Sequence, residues 1–259
     1  KKNSENNGLI CNWFNENKSF EKKEINKFFN NIFTINQSEV YGQKITFYKN
    51  ELNEKSKQYK EIKNKKNIKN KQKLQQLLNI YTPTDVRNNK SKYYQKKKLK
   101  QYSIKFFNIL SILDESQGIS FIYSQFKIEG INKFAEILKL NGYIHVTDPK
   151  QIEPNSKNFV IFSGDSKDKK NFHTLLNLIN NGDNKNGNCI KIILGTGAVK
   201  RGFSFFNVRS IHIIEPWFNY SEIDQIIGRG TRTNSHKKLD LECQNVTIYL
   251  HSVCFPQKQ

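Results

Sequence analysis

The stretch Ile119-Ser120-Phe121-Ile122-Tyr123-Ser124 decides the fold class. It is short and almost unbroken in its apolar character, and it follows Gly118. A strand with one face in water would alternate polar and apolar residues; this one reads as a strand covered on both faces. Working outward, Ser103 to Leu113 has apolar residues at roughly helical spacing. Glu129 to Leu140 reads as a second helix, with Asn141-Gly142 as its carboxyl-terminal cap. Strands follow at Tyr143 to Val146 and Asn158 to Phe162, then a helix from Lys167 to Ile179 and a strand from Cys189 to Leu194. A strand at Ser210 to Ile214, a short helix from about Ser221 and a strand at Asn245 to Leu250 complete the series. Strands and helices that alternate in this way predict a parallel α/β sheet with helices on both faces. Binding loops in such sheets lie at the carboxyl ends of the strands. The loops after Ser124, Phe162, Leu194 and Ile214 are therefore the places to look for chemistry.

The 259 residues carry a formal charge of +20, and the charge is uneven. Lys55 to Lys105 holds 17 basic residues against two acidic ones, Glu61 and Asp85. Its first part, KSKQYKEIKNKKNIKNKQK from Lys55 to Lys73, has too few apolar residues to form a core. It reads as a solvated helix, a linker or a disordered loop. A helical continuation through Leu74, Leu77 and Leu78 is broken at Tyr81-Thr82-Pro83-Thr84. Apolar patches at Phe28 to Ile35 and Ile45 to Tyr48 look like pieces of a larger body. The expected organisation is a basic, partly disordered segment over 1–102 and an α/β domain over 103–259.

Composition narrows the function classes. No apolar run approaches the roughly 18 residues of a membrane-spanning helix, and the polar N-terminus lacks a signal-peptide core. Cys11, Cys189, Cys243 and Cys254 show neither CxxC nor zinc spacing, which suits a reducing, cytoplasm-like compartment. No Ser/His/Asp, Cys/His or metal-ligand cluster can be assembled. The chain has no Met and begins Lys1-Lys2-Asn3, which suggests a processed product or a fragment. Lysine outnumbers arginine 38 to five, and asparagine reaches 34. Lys and Asn share A/T-rich codons, so coding bias accounts for much of the charge. The same bias makes Arg87, Arg201, Arg209, Arg229 and Arg232 informative, because a retained Arg points to a role for the planar guanidinium.

Two of the five lie in Asp224-Gln225-Ile226-Ile227-Gly228-Arg229-Gly230-Thr231-Arg232. On a continuous helix, Gln225, Gly228, Arg229 and Arg232 would share one face. That face would offer an amide, a gap at Gly228 and two guanidinium groups, a set suited to a polyphosphate. The bland alternative is a surface helix with ion-paired arginines. The pattern Gln-x-x-Gly-Arg-x-x-Arg resembles motif VI of the superfamily 2 helicases and nucleic-acid-dependent ATPases. The wider run from Ile213-Ile214-Glu215-Pro216-Trp217 to Arg232-Thr233-Asn234-Ser235-His236 is similar to the poxvirus-type nucleoside triphosphatase and early-transcription-factor ATPases, with relatives in giant viruses and yeast linear plasmids. Ile192 to Ser204, with Gly195-Thr196-Gly197-Ala198-Val199-Lys200-Arg201-Gly202, resembles motif V. Phe121 to Phe126 with Gly130 resembles motif IV, and Phe162-Ser163-Gly164-Asp165 resembles the strand-end motif between them. The resemblance covers about Ser103 to Val253.

The resemblance implies a C-terminal RecA-like lobe and a set of roles. Gln225, Arg229 and Arg232 would be catalytic and face the nucleotide, the arginines reaching the γ-phosphate. Gly202 and Gly228 would complete the nucleotide contacts. Tyr123, Ser124, Gly164, Thr196, Lys200 and Arg201 would approach a DNA or RNA backbone, although Lys200 and Arg201 also read as plain solvated charge. ATP and Mg²⁺ would be shared with an N-terminal RecA-like lobe, because no Gly in this chain is followed by Lys and so no P-loop is present. A viral-type RNA polymerase is a further implied partner, in a host cytoplasm or virion.

Three features carry competing readings. Leu113-Asp114-Glu115-Ser116-Gln117 looks like a Walker B box but reads better as a polar turn before the motif IV strand. His212, on a buried strand, reads as a core residue. The basic run contains Tyr59, Tyr93, Tyr94 and Tyr102, which could stack bases beside a nucleic-acid backbone, or the run could be an inter-lobe insertion rich in lysine through codon bias. The function reads as half of an ATP-dependent translocase, or alternatively as a non-catalytic nucleic-acid or partner-binding module. A decayed gene fragment is the weakest reading, because Gln225, Gly228, Arg229 and Arg232 are all in place.

Overall fold

The computed structural model describes residues 42–64, 71–83, 90–163, 169–200, 203–216 and 220–254. Its centre is a seven-stranded sheet in which every pairing is parallel. The strands are β1 (Gly42–Glu51), β2 (Ile119–Tyr123), β3 (Ile144–His145), β4 (Asn158–Phe162), β5 (Ile192–Gly195), β6 (Val208–Ile213) and β7 (Asn245–Cys254), in the order β1-β7-β6-β2-β5-β4-β3. The helices are α1 (Lys57–Asn64), α2 (Lys71–Asn79), α3 (Lys90–Tyr94), α4 (Lys96–Leu99), α5 (Ile104–Glu115), α6 (Lys133–Leu140), α7 (Lys169–Asn180) and α8 (Tyr220–Ile227). The architecture is an all-parallel α/β sheet covered by helices.

All five residues of β2 are buried, as its unbroken apolar run requires. Ile119, Phe121 and Tyr123 enter one core with Leu175 and Ile179 of α7 and Ile223, Ile226 and Ile227 of α8. Ile122 faces the other way, into a core built from Phe106, Ile109, Leu110 and Leu113 of α5 and Phe134, Ile137 and Leu138 of α6. The two-residue period of a strand thus divides one sequence between two cores. Helix α5 begins where expected because Ser103 caps it, its side chain accepting from the Phe106 N–H at 3.0 Å.

The second face also buries polar groups in pairs. Ser210 donates to or accepts from Ser120 at 2.8 Å, and His212 Nδ1 lies 3.0 Å from His251 Nε2. Burial pushes His212 down to about 3 and His251 well below the ordinary histidine range, so both rings stay neutral at physiological pH. His212 is therefore a core residue, stacked on Tyr249 with ring centroids 4.6 Å apart.

The expected division at residue 102/103 needs correction. Strand β1 pairs in parallel with β7 over its whole length, from Gly42 opposite Asn245 to Glu51 opposite Cys254. Leu52, Ile62 and Leu78 pack with Ile104 and Val253 in a third core. Tyr93, Tyr94 and Tyr102 are buried against α5 and α6. These tyrosines cannot stack bases; their rings fill the seam between the basic segment and the sheet. The lysine-rich composition hid this because each short helix contributes only a few anchoring side chains. The patch Phe28 to Ile35 and Arg87 lie outside the described residues.

Candidate functional site

Because the sheet is all parallel, the loops after β2, β4, β5 and β6 emerge at one edge. Ser124, Ser163, Thr196 and Ile214-Glu215 stand there side by side. The motif-bearing segments are thus brought together by topology alone.

After β6, the chain runs through Glu215 to α8, which carries Gln225. The single helical face expected for Gln225, Gly228, Arg229 and Arg232 is corrected. The N–H of Gly228 still donates to Asp224 O at 2.8 Å, but Arg229 and Gly230 donate to the carbonyls of Ile226 and Ile227, three residues back. The helix tightens and ends, and Arg232 lies beyond it. Gly230 explains the sharp exit, since a Cβ there would lie 3.1 Å from Ile211 Cδ1 and 3.3 Å from Val208 on β6. Gln225 and Arg232 are exposed, and Arg229 is half-buried.

Arg229 is held in place by the end of the motif V segment and the residues just after it. Its Nη1 donates to the Phe203 carbonyl at 3.1 Å, and its own carbonyl accepts from the Phe205 N–H at 2.8 Å. Asn180 of α7 clamps the same segment, donating to Ser204 O at 2.9 Å and accepting from the Phe206 N–H at 2.8 Å. Burial, and then the neighbouring charge of Arg232, lower Arg229 from the usual guanidinium value. Two guanidinium groups therefore share one neighbourhood. Nothing approaches within 4 Å of a Cβ placed at Gly197, at the start of the motif V turn. Gly195 just before it is tightly enclosed, by Phe121 at 2.8 Å and Val199 at 2.9 Å.

Motif IV is sealed rather than open. Ser124 is fully buried, and its hydroxyl lies 2.9 Å from each carboxylate oxygen of Glu215. The Gln125 N–H donates to the same carboxylate at 3.1 Å, and so does the side-chain amide of Asn79. Lys105 completes the cluster, donating to Asn79 Oδ1 at 2.9 Å and to Ile214 O at 2.8 Å. Burial lowers the Lys105 ammonium to about 8, with the charge of Glu215 opposing the shift. Burial likewise raises Glu215, against the charge of Lys105 and the hydrogen bonds from Ser124, Asn79 and Gln125. Gly130 is the steric condition for this cluster. It lies in a π-type turn, Lys127–Asn132, and a Cβ there would come within 2.1 Å of Ser124 Oγ.

Tyr123, Ser124 and Thr196, expected to approach nucleic acid, are enclosed by the fold. Tyr123 and Ser124 are buried, and the Ser124 hydroxyl is engaged inside the fold. Thr196 is 7 % exposed, and its N–H donates to Phe162 O at 3.2 Å. Gly164, Arg201 and Gly202 lie outside the described residues, as does the Lys200 side chain. Sequence reasoning missed Lys105, Asn79 and Glu215 as a unit. The signal was a lysine in the apolar stripe of α5, where helical spacing alone would demand a hydrophobic residue.

His236 now has a structural role. It is buried, with Nδ1 2.8 Å from Ser235 Oγ and Nε2 against the Val208 carbonyl, which ties the tail after motif VI to β6. The Walker B look-alike is confirmed as structural. Asp114 closes α5 in ion pairs with Lys96 at 2.6 Å and Lys157 at 2.9 Å, and accepts from Tyr143 Oη at 3.0 Å. Burial alone would raise its carboxyl, but those three partners hold it below the ordinary value. Among the described residues no group of His, Cys, Asp and Glu is arranged to hold a metal ion. No helix among them is long and apolar enough to cross a membrane.

No family model matches the chain. Over 163 residues, 61 % of the chain, it is 38 % identical to protein R563 of Acanthamoeba polyphaga mimivirus, whose name designates an ATP-dependent RNA helicase. Over 153 residues, 59 % of the chain, it is 31 % identical to nucleoside triphosphatase I of Melanoplus sanguinipes entomopoxvirus. The matched regions make up 27 % and 21 % of those relatives, so the chain spans about a quarter or less of their length. The C-terminal part of the Fun30 ATPase domain superposes with a TM-score of 0.41 at 17 % identity, covering 57 % of this chain and 41 % of that one. Over part of its length the chain is thus similar in sequence to proteins named as viral helicases and nucleoside triphosphatases.

Proposed function

We propose that this chain is the C-terminal RecA-like lobe of an ATP-dependent nucleic-acid translocase, and that Arg229 and Arg232 serve a nucleotide bound between it and an N-terminal RecA-like lobe. The observation that carries the reading is two guanidinium groups close together just past the end of α8, with Arg229 anchored to Phe203 O at 3.1 Å and Arg232 exposed. Such a pair suits the γ-phosphate oxygens of ATP, where positive charge supports phosphoryl transfer. Gln225, exposed one turn earlier on α8, would face the same ligand. Gly228 and Gly202 would leave room for it. Mg²⁺ would neutralise phosphate charge in the assembled site; its ligands would belong to the N-terminal lobe, since none is arranged for it among the described residues here.

Arg229 links the nucleotide side to motif V through Phe203. Lys200, Arg201 and the backbone around Gly164 and Gly197 would meet the DNA or RNA backbone, where amides and cations position a strand without reading sequence. Closure on ATP and opening after hydrolysis would then shift the grip on the strand. A place in viral-type transcription, beside an RNA polymerase in a host cytoplasm or virion, follows from the poxvirus-type resemblance.

The test joins this chain to an N-terminal RecA-like lobe. Arg232→Ala should abolish nucleic-acid-stimulated ATP hydrolysis while oligonucleotide affinity stays within about twofold. Unchanged turnover refutes the arginine assignment. The second reading, a binding module without turnover, is favoured by the lack of any Gly-Lys pair in the sequence. It prevails if the joined protein binds nucleic acid but the nucleic acid never stimulates hydrolysis.

A further inference from the structure

The opposite edge of the sheet, where the strands begin, carries a second basic site. A cavity of about 450 Å³ opens there, lined by Gly118, Lys157, Lys185, Lys191, Arg209 and Cys243 together with serine, glutamine, asparagine and glycine residues. No carboxylate and no aromatic ring lines it. It draws on the starts of β2, β4, β5 and β6, so it is separated from the motif loops by the length of the strands. For the five residues of β2 that is roughly 17 Å.

The site is built rather than a chance gathering of lysines. Gly118 turns the chain at φ +77°, and a Cβ there would lie 2.5 Å from Arg209 Cγ, so the arginine lies directly across the glycine. Arg209 Nε and Nη2 each donate to Asn245 at 3.2 Å, to its carbonyl and its side-chain oxygen, which fixes the guanidinium plane. Gly187, at φ +77°, lets the second loop approach the Gly118 carbonyl, where a Cβ would lie at 3.1 Å. The Asn155 N–H ties the third loop to Asn188 O at 2.8 Å. Lys157 is already paired with Asp114, and that carboxylate is shared with Lys96. Burial, and then the charge of Lys157, lower the Lys191 ammonium, with Asp114 only partly opposing. Four cationic residues thus line a space that no carboxylate lines.

We propose that this cavity binds a phosphate of a nucleic-acid backbone, with Lys185, Lys191 and Arg209 as its partners. Ammonium groups beside an oriented guanidinium fit a phosphate oxyanion. The lack of an aromatic ring leaves a base nothing to stack on, which favours backbone over nucleotide recognition. The assignment also gives a role to Arg209, one of five arginines in a lysine-rich chain and outside the helicase-like motifs.

The test uses the whole chain and a fluorescent oligonucleotide, with affinity measured against salt. Lys185→Gln with Lys191→Gln should weaken binding about tenfold and flatten the log–log salt slope by roughly 0.7 to 0.9, the share of one phosphate. Lys237→Gln with Lys238→Gln, exposed outside the cavity, should change affinity by less than about twofold. Equal losses in the two pairs would overturn the proposal, because the charge would then act diffusely. A second readout is local: alkylation of Cys243 followed by peptide mass spectrometry. Oligonucleotide should slow it in the native chain and not in the Lys185/Lys191 double variant. Absence of protection, protection by pyrophosphate alone, or equal protection by polyglutamate would each overturn the assignment to a nucleic-acid backbone. These outcomes leave the Arg232 test untouched, so the two readings fail separately.

Discussion

Two charged regions of the molecule use charge in opposite ways. Beneath motif IV, Lys105 and Glu215 are buried, hydrogen-bonded to Asn79, Ser124, Gln125 and the Ile214 carbonyl, and closed to solvent. Beyond α8, Arg229 is half-buried and Arg232 is exposed, with the charge of Arg232 acting on Arg229. The first arrangement satisfies its ions internally and joins three chain segments: the basic arm at Asn79, α5 at Lys105 and the strand ends at Ser124 and Glu215. The second leaves Arg232 exposed, where an external anion can reach it. Motif resemblance gave Ser124 and Arg232 comparable standing as ligand contacts; burial separates them into a structural group and a candidate chemical one.

That contrast can be broken by substitution, and the largest effect should come from the sealed cluster. Glu215→Ala leaves the Lys105 charge buried without its counter-charge, which should cost about 3 to 5 kcal/mol in urea unfolding. Replacing both ends, Lys105→Met with Glu215→Leu, should recover most of that loss. A single variant as stable as the native chain would show that the pair is not a buried ionic unit.

A smaller effect should follow at Gly130. A Cβ there meets Ser124 Oγ at 2.1 Å and Ser124 Cβ at 2.9 Å, so Gly130→Ala should destabilise by roughly 1 to 3 kcal/mol through overpacking. Adding Ser124→Ala removes the nearer atom and should restore part of the loss. If it restores nothing, the glycine serves the turn conformation rather than the close approach to Ser124.

The smallest change in stability should come from the residue with the largest expected effect on turnover. Arg232→Ala removes an exposed side chain and should shift unfolding by no more than about 0.5 kcal/mol. A loss of 2 kcal/mol or more would make Arg232 a structural residue and dissolve the contrast with Glu215.

Much of the fold could be read locally. The unbroken run Ile119 to Tyr123 required cover on both faces, and the structure divides its side chains between two cores. Helix α5 starts at a Ser103 cap that its sequence announces. The edge strand β1 was harder to read, because its partner β7 lies some 200 residues away and only their pairing makes it part of the sheet. The buried tyrosines of the basic arm were hidden for a similar reason, since lysine-rich helices expose most of their surface and anchor through a few residues each.

The sequence by itself determined the parallel α/β class, the order of strands and helices after Ser103, and the clustering of the motif IV and motif V loops at one edge. Those follow from short-range periodicity and from the rule that parallel strands end on the same side. Only the tertiary structure decided that Ser124 faces Glu215, that α8 ends before Arg232, and that Arg209 crosses Gly118 into a basic cavity. Each of these depends on atoms far apart in the chain, where desolvation and close contact, rather than residue type, decide whether a charge is sealed in or left open to a ligand.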